Sequence, residues 1–177
     1  MYKFFIVTCA LLIPDLISIG QVYEYKLLPD TGKTREYFGH SVAISNDYAL
    51  VGAIGKEKVY VFKRSGANWY QSDTLKGEYN PFGSTMDPAF GYSVSISGDH
   101  MIVGAPFQVV LPVLNCIGSA YVFKLNNEKC EFEAKLTPPE PHPFGLYGWT
   151  VAISNSFAVV GEAGSNVAHI YKLEEQG

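Results

Sequence analysis

The chain is short of charge, of cysteine and of long apolar runs. Charged residues fill only 17% of its 177 positions, with 13 basic against 17 acidic side chains and a net charge of −4. That balance argues against a nucleic-acid partner, which needs a basic stripe. Low charge does not mean disorder here, because 47% of residues are hydrophobic and 14% aromatic, a composition that suits an all-β domain. The main apolar run, Phe4 to Ile13, is broken by Pro14 and Asp15 and is too short to span a bilayer. With Lys3 before it and Ser18-Ile19-Gly20 after it, residues 1–20 read as a secretory signal peptide cut before Gln21. The remaining 21–177 are one domain by length, have no membrane span, and are expected to be secreted.

Cysteine is as sparse. Cys9 falls in the leader, which leaves Cys116 and Cys130. An oxidising compartment favours a bridge between them. The strand reading below sets them near opposite ends of one strand, beyond the roughly 7 Å that a disulfide allows. A bridge then requires the loop before residue 118 to fold back, and both outcomes stay open. No Asn-x-Ser/Thr acceptor is present.

What is present is a refrain. Tyr37-Phe-Gly-His-Ser-Val-Ala-Ile-Ser45 returns as Ala89-Phe-Gly-Tyr-Ser-Val-Ser-Ile-Ser97 and as Leu146-Tyr-Gly-Trp-Thr-Val-Ala-Ile-Ser154. The glycines Gly39, Gly91 and Gly148 are 52 and 57 residues apart, the period of one propeller blade. Each repeat parses into four strands. A β-branched first strand (about 40–45, 92–97, 149–154) turns through Asn46-Asp47, Gly98-Asp99 or Asn155-Ser156, residues that tolerate the positive φ of a two-residue hairpin. The second strands (48–52, 100–104, 157–161) are nearly continuous apolar runs, as expected for strands buried on both faces. The third strands are 58–63, 119–124 and 168–172, and the more polar fourth strands are 69–75 and 132–136. The aromatic before each glycine is expected to wedge between blades, a burial contributing about 1.5–3 kcal/mol.

Phe38-Gly39 with Gly52-Ala53, and Phe90-Gly91 with Gly104-Ala105-Pro106, resemble the FG-GAP repeats of integrin α-subunit propellers, and more closely those of short secreted FG-GAP proteins. The resemblance runs from about Val22 to Lys172; the third copy departs from it, with Tyr147 for Phe and Glu162 for Ala. It implies an all-β chain of three four-stranded antiparallel propeller-type blades, over about 37–88, 89–145 and 146–173. Val22 to Pro29 matches Glu131 to Pro138, so a strand over 22–28 is expected to complete the last blade. Propellers typically have four to eight blades. Three therefore leave open a homodimeric six-bladed ring, an open wedge, or a truncated copy of a longer product.

Chemistry is hard to place. The loops between first and second strands carry too few carboxylates for the calcium that integrin-type repeats hold, since calcium needs six to eight oxygens. Gly39-His-Ser-Val-Ala43 lacks the second glycine of a hydrolase elbow and recurs as a strand element. His40, His100, His142 and His169 fall at unrelated blade positions without metal-ligand spacing. The expectation is no enzyme, no metal and no cofactor.

Two features suit binding. The connection after the second strand, short in repeats one and three, becomes Pro106 to Ile117 in repeat two. Its apolar residues Phe107, Val109, Val110, Leu111, Val113 and Leu114 read as a partner site or as a private core over the blade. His40, Tyr92 and Trp149 follow the three equivalent glycines and form an aromatic set on one face, fit to stack on sugars or to wedge between blades. The sequence thus predicts a secreted, non-catalytic adhesion or binding module for a protein or glycan. The alternatives are a multivalent lectin and a fragment of a larger surface protein or enzyme.

Overall fold

The computed structural model describes residues 23–29, 35–77, 89–110 and 115–173. Blade 1 is a sheet in the order β1 (Phe38–Ser45), β2 (Tyr48–Ala53), β3 (Lys58–Ser65), β4 (Asn68–Lys76). Blade 2 runs β5 (Ser93–Ser97), β6 (His100–Ala105), β9 (Ser119–Asn126), β10 (Lys129–Leu136). Between β6 and β9 the insertion forms its own small hairpin, β7 (Val109–Val110) with β8 (Asn115–Cys116). Blade 3 has β11 (Tyr147–Ser154), β12 (Phe157–Glu162) and β13 (Val167–Lys172). All pairings within the blades are antiparallel, and the hairpins turn where the sequence places Asn46-Asp47, Gly98-Asp99 and Asn155-Ser156.

Two cores join the blades. Leu50, Val59, Val61 and Leu75 of blade 1 pack on Phe90, Met101, Val103, Tyr121 and Phe123 of blade 2. On its other face, blade 2 offers Ile102, Ala120 and Val122 to Tyr147, Ile153, Ala158 and Val160 of blade 3. Each blade therefore has a front face for the blade that follows and a back face for the one before. The wedge expected of the repeat aromatics is formed: Phe90 and Tyr147 are fully buried, and Phe90 meets Tyr121 and Phe123 edge-on at 5.4 and 6.2 Å.

One expectation is corrected, and one of two open alternatives is decided. Among the described residues no strand from this segment closes blade 3: residues 23–29 carry no strand pairing, and Leu27 packs instead on the back face of blade 1, against the cluster of Ala49, Val51, Ala53, Tyr60 and Phe62. Blade 2 sits between blades 1 and 3. No disulfide joins Cys116 to Cys130. Cys130 pairs with Leu125 near the far end of β9, whereas Cys116 precedes the start of β9, a separation of about 20 Å at strand rise. The loop before residue 118 instead pairs with itself in the β7–β8 hairpin.

Candidate aromatic binding face

Each repeat enters its innermost strand through the same tight turn. His40 N–H donates to the Tyr37 carbonyl at 3.1 Å, Tyr92 N–H to Ala89 at 3.0 Å, and Trp149 N–H to Leu146 at 3.1 Å. The glycine inside each turn has φ of +90, +92 or +88°, a conformation only glycine adopts freely. Tyr37, Ala89 and Leu146, which open the same turns, also hold positive φ of 51, 56 and 57°. Left-handed backbone costs a non-glycine residue about 1–2 kcal/mol, so blade packing must hold these turns in place.

This shared geometry aims the three following side chains at one place. The His40 and Tyr92 ring centroids are 4.9 Å apart, and Tyr92 and Trp149 are 4.6 Å apart. Phe107 joins them edge-on, 5.9 Å from Tyr92 and 6.2 Å from Trp149. The set predicted from the repeat and one residue of the insertion are thus a single ladder. Phe107 is placed by a turn in which Gln108 N–H donates to the Ala105 carbonyl, and Gly118 N–H returns to the Gln108 carbonyl at the base of the hairpin. His40 is exposed, while Tyr92, Trp149, Phe107 and Val109 are half-buried. Val110 pairs with Asn115 in the hairpin; Leu111, Val113 and Leu114 lie outside the described residues. Ring pairs of this kind contribute about 0.5–1.5 kcal/mol each beyond burial, and their uncovered faces offer stacking surface.

The strand hydroxyls of the repeat have structural partners. Ser41 Oγ donates to the Gly91 carbonyl at 2.6 Å and Ser93 Oγ to the Gly148 carbonyl at 2.9 Å, tying each blade to the next.

A second cluster escaped the sequence reading. Glu162, only 1% exposed, accepts Ser165 Oγ at 2.7 Å and lies 3.3 Å from His142 Nδ1 and 3.0 Å from His169 Nε2. Burial opposes its ionisation, but hydrogen bonds from Ser165, His169 and His142 outweigh that and hold its carboxyl below the usual range. Beside it Tyr147 donates to Tyr171 Oη at 2.5 Å, and burial followed by this bond pushes the Tyr147 phenol up. The two histidines contact different carboxylate oxygens, and among the described residues no group of three His, Cys, Asp or Glu side chains is placed to hold a metal. The cluster clamps the loop before β11 to β12 and β13. Its signal was the paired departure of blade 3, where Glu162 and His169 stand in place of Ala105 and Tyr121. A cleft of about 160 Å³ at Lys76, Gly77, Tyr121 and Phe132 is below the size of a small-molecule pocket.

The fold is similar to that in the crystal structure of Saccharomyces cerevisiae Sqt1, with a TM-score of 0.54 at 12% identity over 81% of this chain and 34% of that one. The chain thus spans about a third of that structure, and the likeness concerns the fold alone. No curated protein matches the chain in sequence. The family model for the FG-GAP repeat matches residues 22–68 and 83–123, which hold the Phe-Gly turns and the Gly-Ala ends of blades 1 and 2. With those turns built alike in every blade, the chain is an FG-GAP repeat protein.

Proposed function

We propose that the chain is a secreted, non-catalytic recognition module of the integrin-α-like type, which holds a protein or glycan ligand on the ladder of His40, Tyr92, Trp149 and Phe107. The ladder is the observation that carries this reading, because four rings from four separate turns converge with their faces partly uncovered. Aromatic faces at a loop surface bind by stacking, and a pyranose ring or an apolar side chain each presents the flat apolar surface that stacking needs. The β7–β8 hairpin follows Phe107 closely in the chain and is the second element offered to a protein ligand. The lectin reading draws on the same rings, repeated blade by blade. Export rests on the Lys3, Phe4–Ile13 and Ser18-Ile19-Gly20 pattern.

The test is ligand capture on a glycan array and on immobilised extracellular proteins, with the unaltered chain beside Trp149→Ala. Capture lost in the variant while its circular dichroism is unchanged supports the ladder. Capture undiminished by Trp149→Ala rejects it.

A further inference from the structure

The two junctions inside the chain are built to one plan. The innermost strand of the following blade lies on the front face of the preceding one: β5 on β1 and β2, then β11 on β5, β6 and β9. A hydroxyl of the preceding blade, Ser41 or Ser93, donates to the first glycine carbonyl of the next, Gly91 or Gly148. The second junction adds Ile153 N–H to Ser95 Oγ and Asn155 N–H to Ser97 Oγ, both at 3.1 Å. A methyl group on Gly52 or Gly104 would strike the Gly91 or Gly148 carbonyl, so the approach needs glycine there.

Each end of the array carries half of this plan. On blade 3, Thr150 stands where Ser41 and Ser93 stand, and Gly161 where Gly52 and Gly104 stand; the nearest atoms to a methyl group on Gly161 all belong to Thr150 of its own blade. Val122, buried on the front of blade 2, is 0% exposed, whereas Ile170 in its place on blade 3 is 72% exposed. Val159, replacing the buried Ile102 and lying opposite Ile170, is also exposed. On blade 1, a methyl group on Gly39 meets nothing within 4 Å, while its equivalents Gly91 and Gly148 press on the blade before them. Ile44 is 66% exposed, against 8% for Ile96 and 7% for Ile153 at the same position. Blade 3 thus holds a donor half without its acceptor, and β1 an acceptor half without its donor.

We propose that a second copy of this chain joins the two halves. The strand Phe38–Ser45 of one copy lies on the Thr150, Val159, Gly161 and Ile170 face of the other. Thr150 Oγ1 then donates to the carbonyl of the partner's Gly39, and Ser154 Oγ accepts the N–H of the partner's Asn46, as Ser97 accepts Asn155. On blade 1's back face the β2 and β3 residues Ala49, Val51, Tyr60 and Phe62 are already buried, with Leu27 packed on them, whereas Val42 and Ile44 of β1 stay exposed, and β1 is the counterpart of β5 and β11, which cross the internal junctions. Applied reciprocally, the contact closes a ring of six blades, within the four to eight that propellers adopt, by the two-fold symmetry commonest among oligomers. Three copies would give nine. The ring also continues the ladder, with Trp149 meeting the partner's His40.

Light scattering on the full chain tests this. The expected mass is twice that of one chain after removal of residues 1–20. Ile44→Glu and Ile170→Glu alter side chains that are exposed in the single chain, and each is expected to halve the mass with circular dichroism unchanged. A one-chain mass at every attainable concentration overturns the proposal. So does a two-chain mass that survives both substitutions, or an open filament.

Discussion

Replacing Gly104 and Gly161 by alanine separates a glycine that a neighbouring blade requires from one that its own blade does not. At Gly104 the new methyl group strikes the Gly148 carbonyl and Ser93 Oγ, the two partners of the junction hydrogen bond. Backbone cannot swing aside as a side-chain end can, so blades 2 and 3 must separate. Overpacking costs about 1–3 kcal/mol and the displaced hydrogen bond about 1 kcal/mol, giving about 2–4 kcal/mol in total. For a chain of this size each kcal/mol lowers Tm by about 2–4 °C, so Gly104→Ala should melt about 5–15 °C lower. At Gly161 the one close approach is to Thr150 Oγ1, the end of a side chain that can rotate, and the Thr150 carbonyl lies at ordinary contact distance. The cost there is offset by a gain of about 0.4–1 kcal/mol from a stiffer unfolded chain, and Tm should move by only a few degrees. Urea and thermal unfolding followed by circular dichroism, on dilute protein so that association does not contribute, measure both. Equal destabilisation by the two substitutions, or none from Gly104→Ala, would refute the junction geometry.

Two further outcomes follow from the clamp and the thiols. Because the folded carboxyl of Glu162 is held below its unfolded value, its stabilisation is present above about pH 4.3 and is lost as pH falls through the depressed folded value. Glu162→Gln should flatten the acid limb of a stability–pH profile, and a limb of unchanged slope would count against the clamp. Burial followed by Asp73 pushes the Cys130 thiol up to about 12, and Cys116 is buried, so both should react slowly with thiol reagents in the folded chain and fully in denaturant. A Cys116–Cys130 linked peptide found by mass spectrometry would contradict the strand placement.

The parts legible in the sequence are those that repeat. Val42-Ala43-Ile44, Val94-Ser95-Ile96 and Val151-Ala152-Ile153 share a strand pattern whose period is set by side-chain alternation, and their turns are short enough to fix the hairpins. The gathering of His40, Tyr92 and Trp149 was legible for the same reason, since equivalent positions in neighbouring blades face one another across a junction. Phe107 was visible as an insertion residue, but its place in the ladder depends on how the turn at Pro106-Phe107 folds, which no repeat constrains. The Glu162 cluster was hidden because His142 arrives from an irregular loop, where spacing carries no geometric information. The likeness of 22–28 to the strand at 131–138 suggested closure of blade 3. That likeness reports an apolar pattern, and Leu27 met its demand on blade 1 instead.

The claim that a ligand lies on the ladder has one direct measurement. In a Trp69→Phe background Trp149 is the sole indole, so its emission reports the ladder alone. Titration with a ligand captured by the unaltered chain should shift that emission with the same saturation curve as binding. Tyr92→Ala, which removes the ring 4.6 Å from Trp149, should weaken the affinity by up to about tenfold, the equivalent of one ring contact. Unshifted Trp149 emission at saturating ligand, with Tyr92→Ala binding as tightly as the parent, would place the ligand elsewhere and contradict the account.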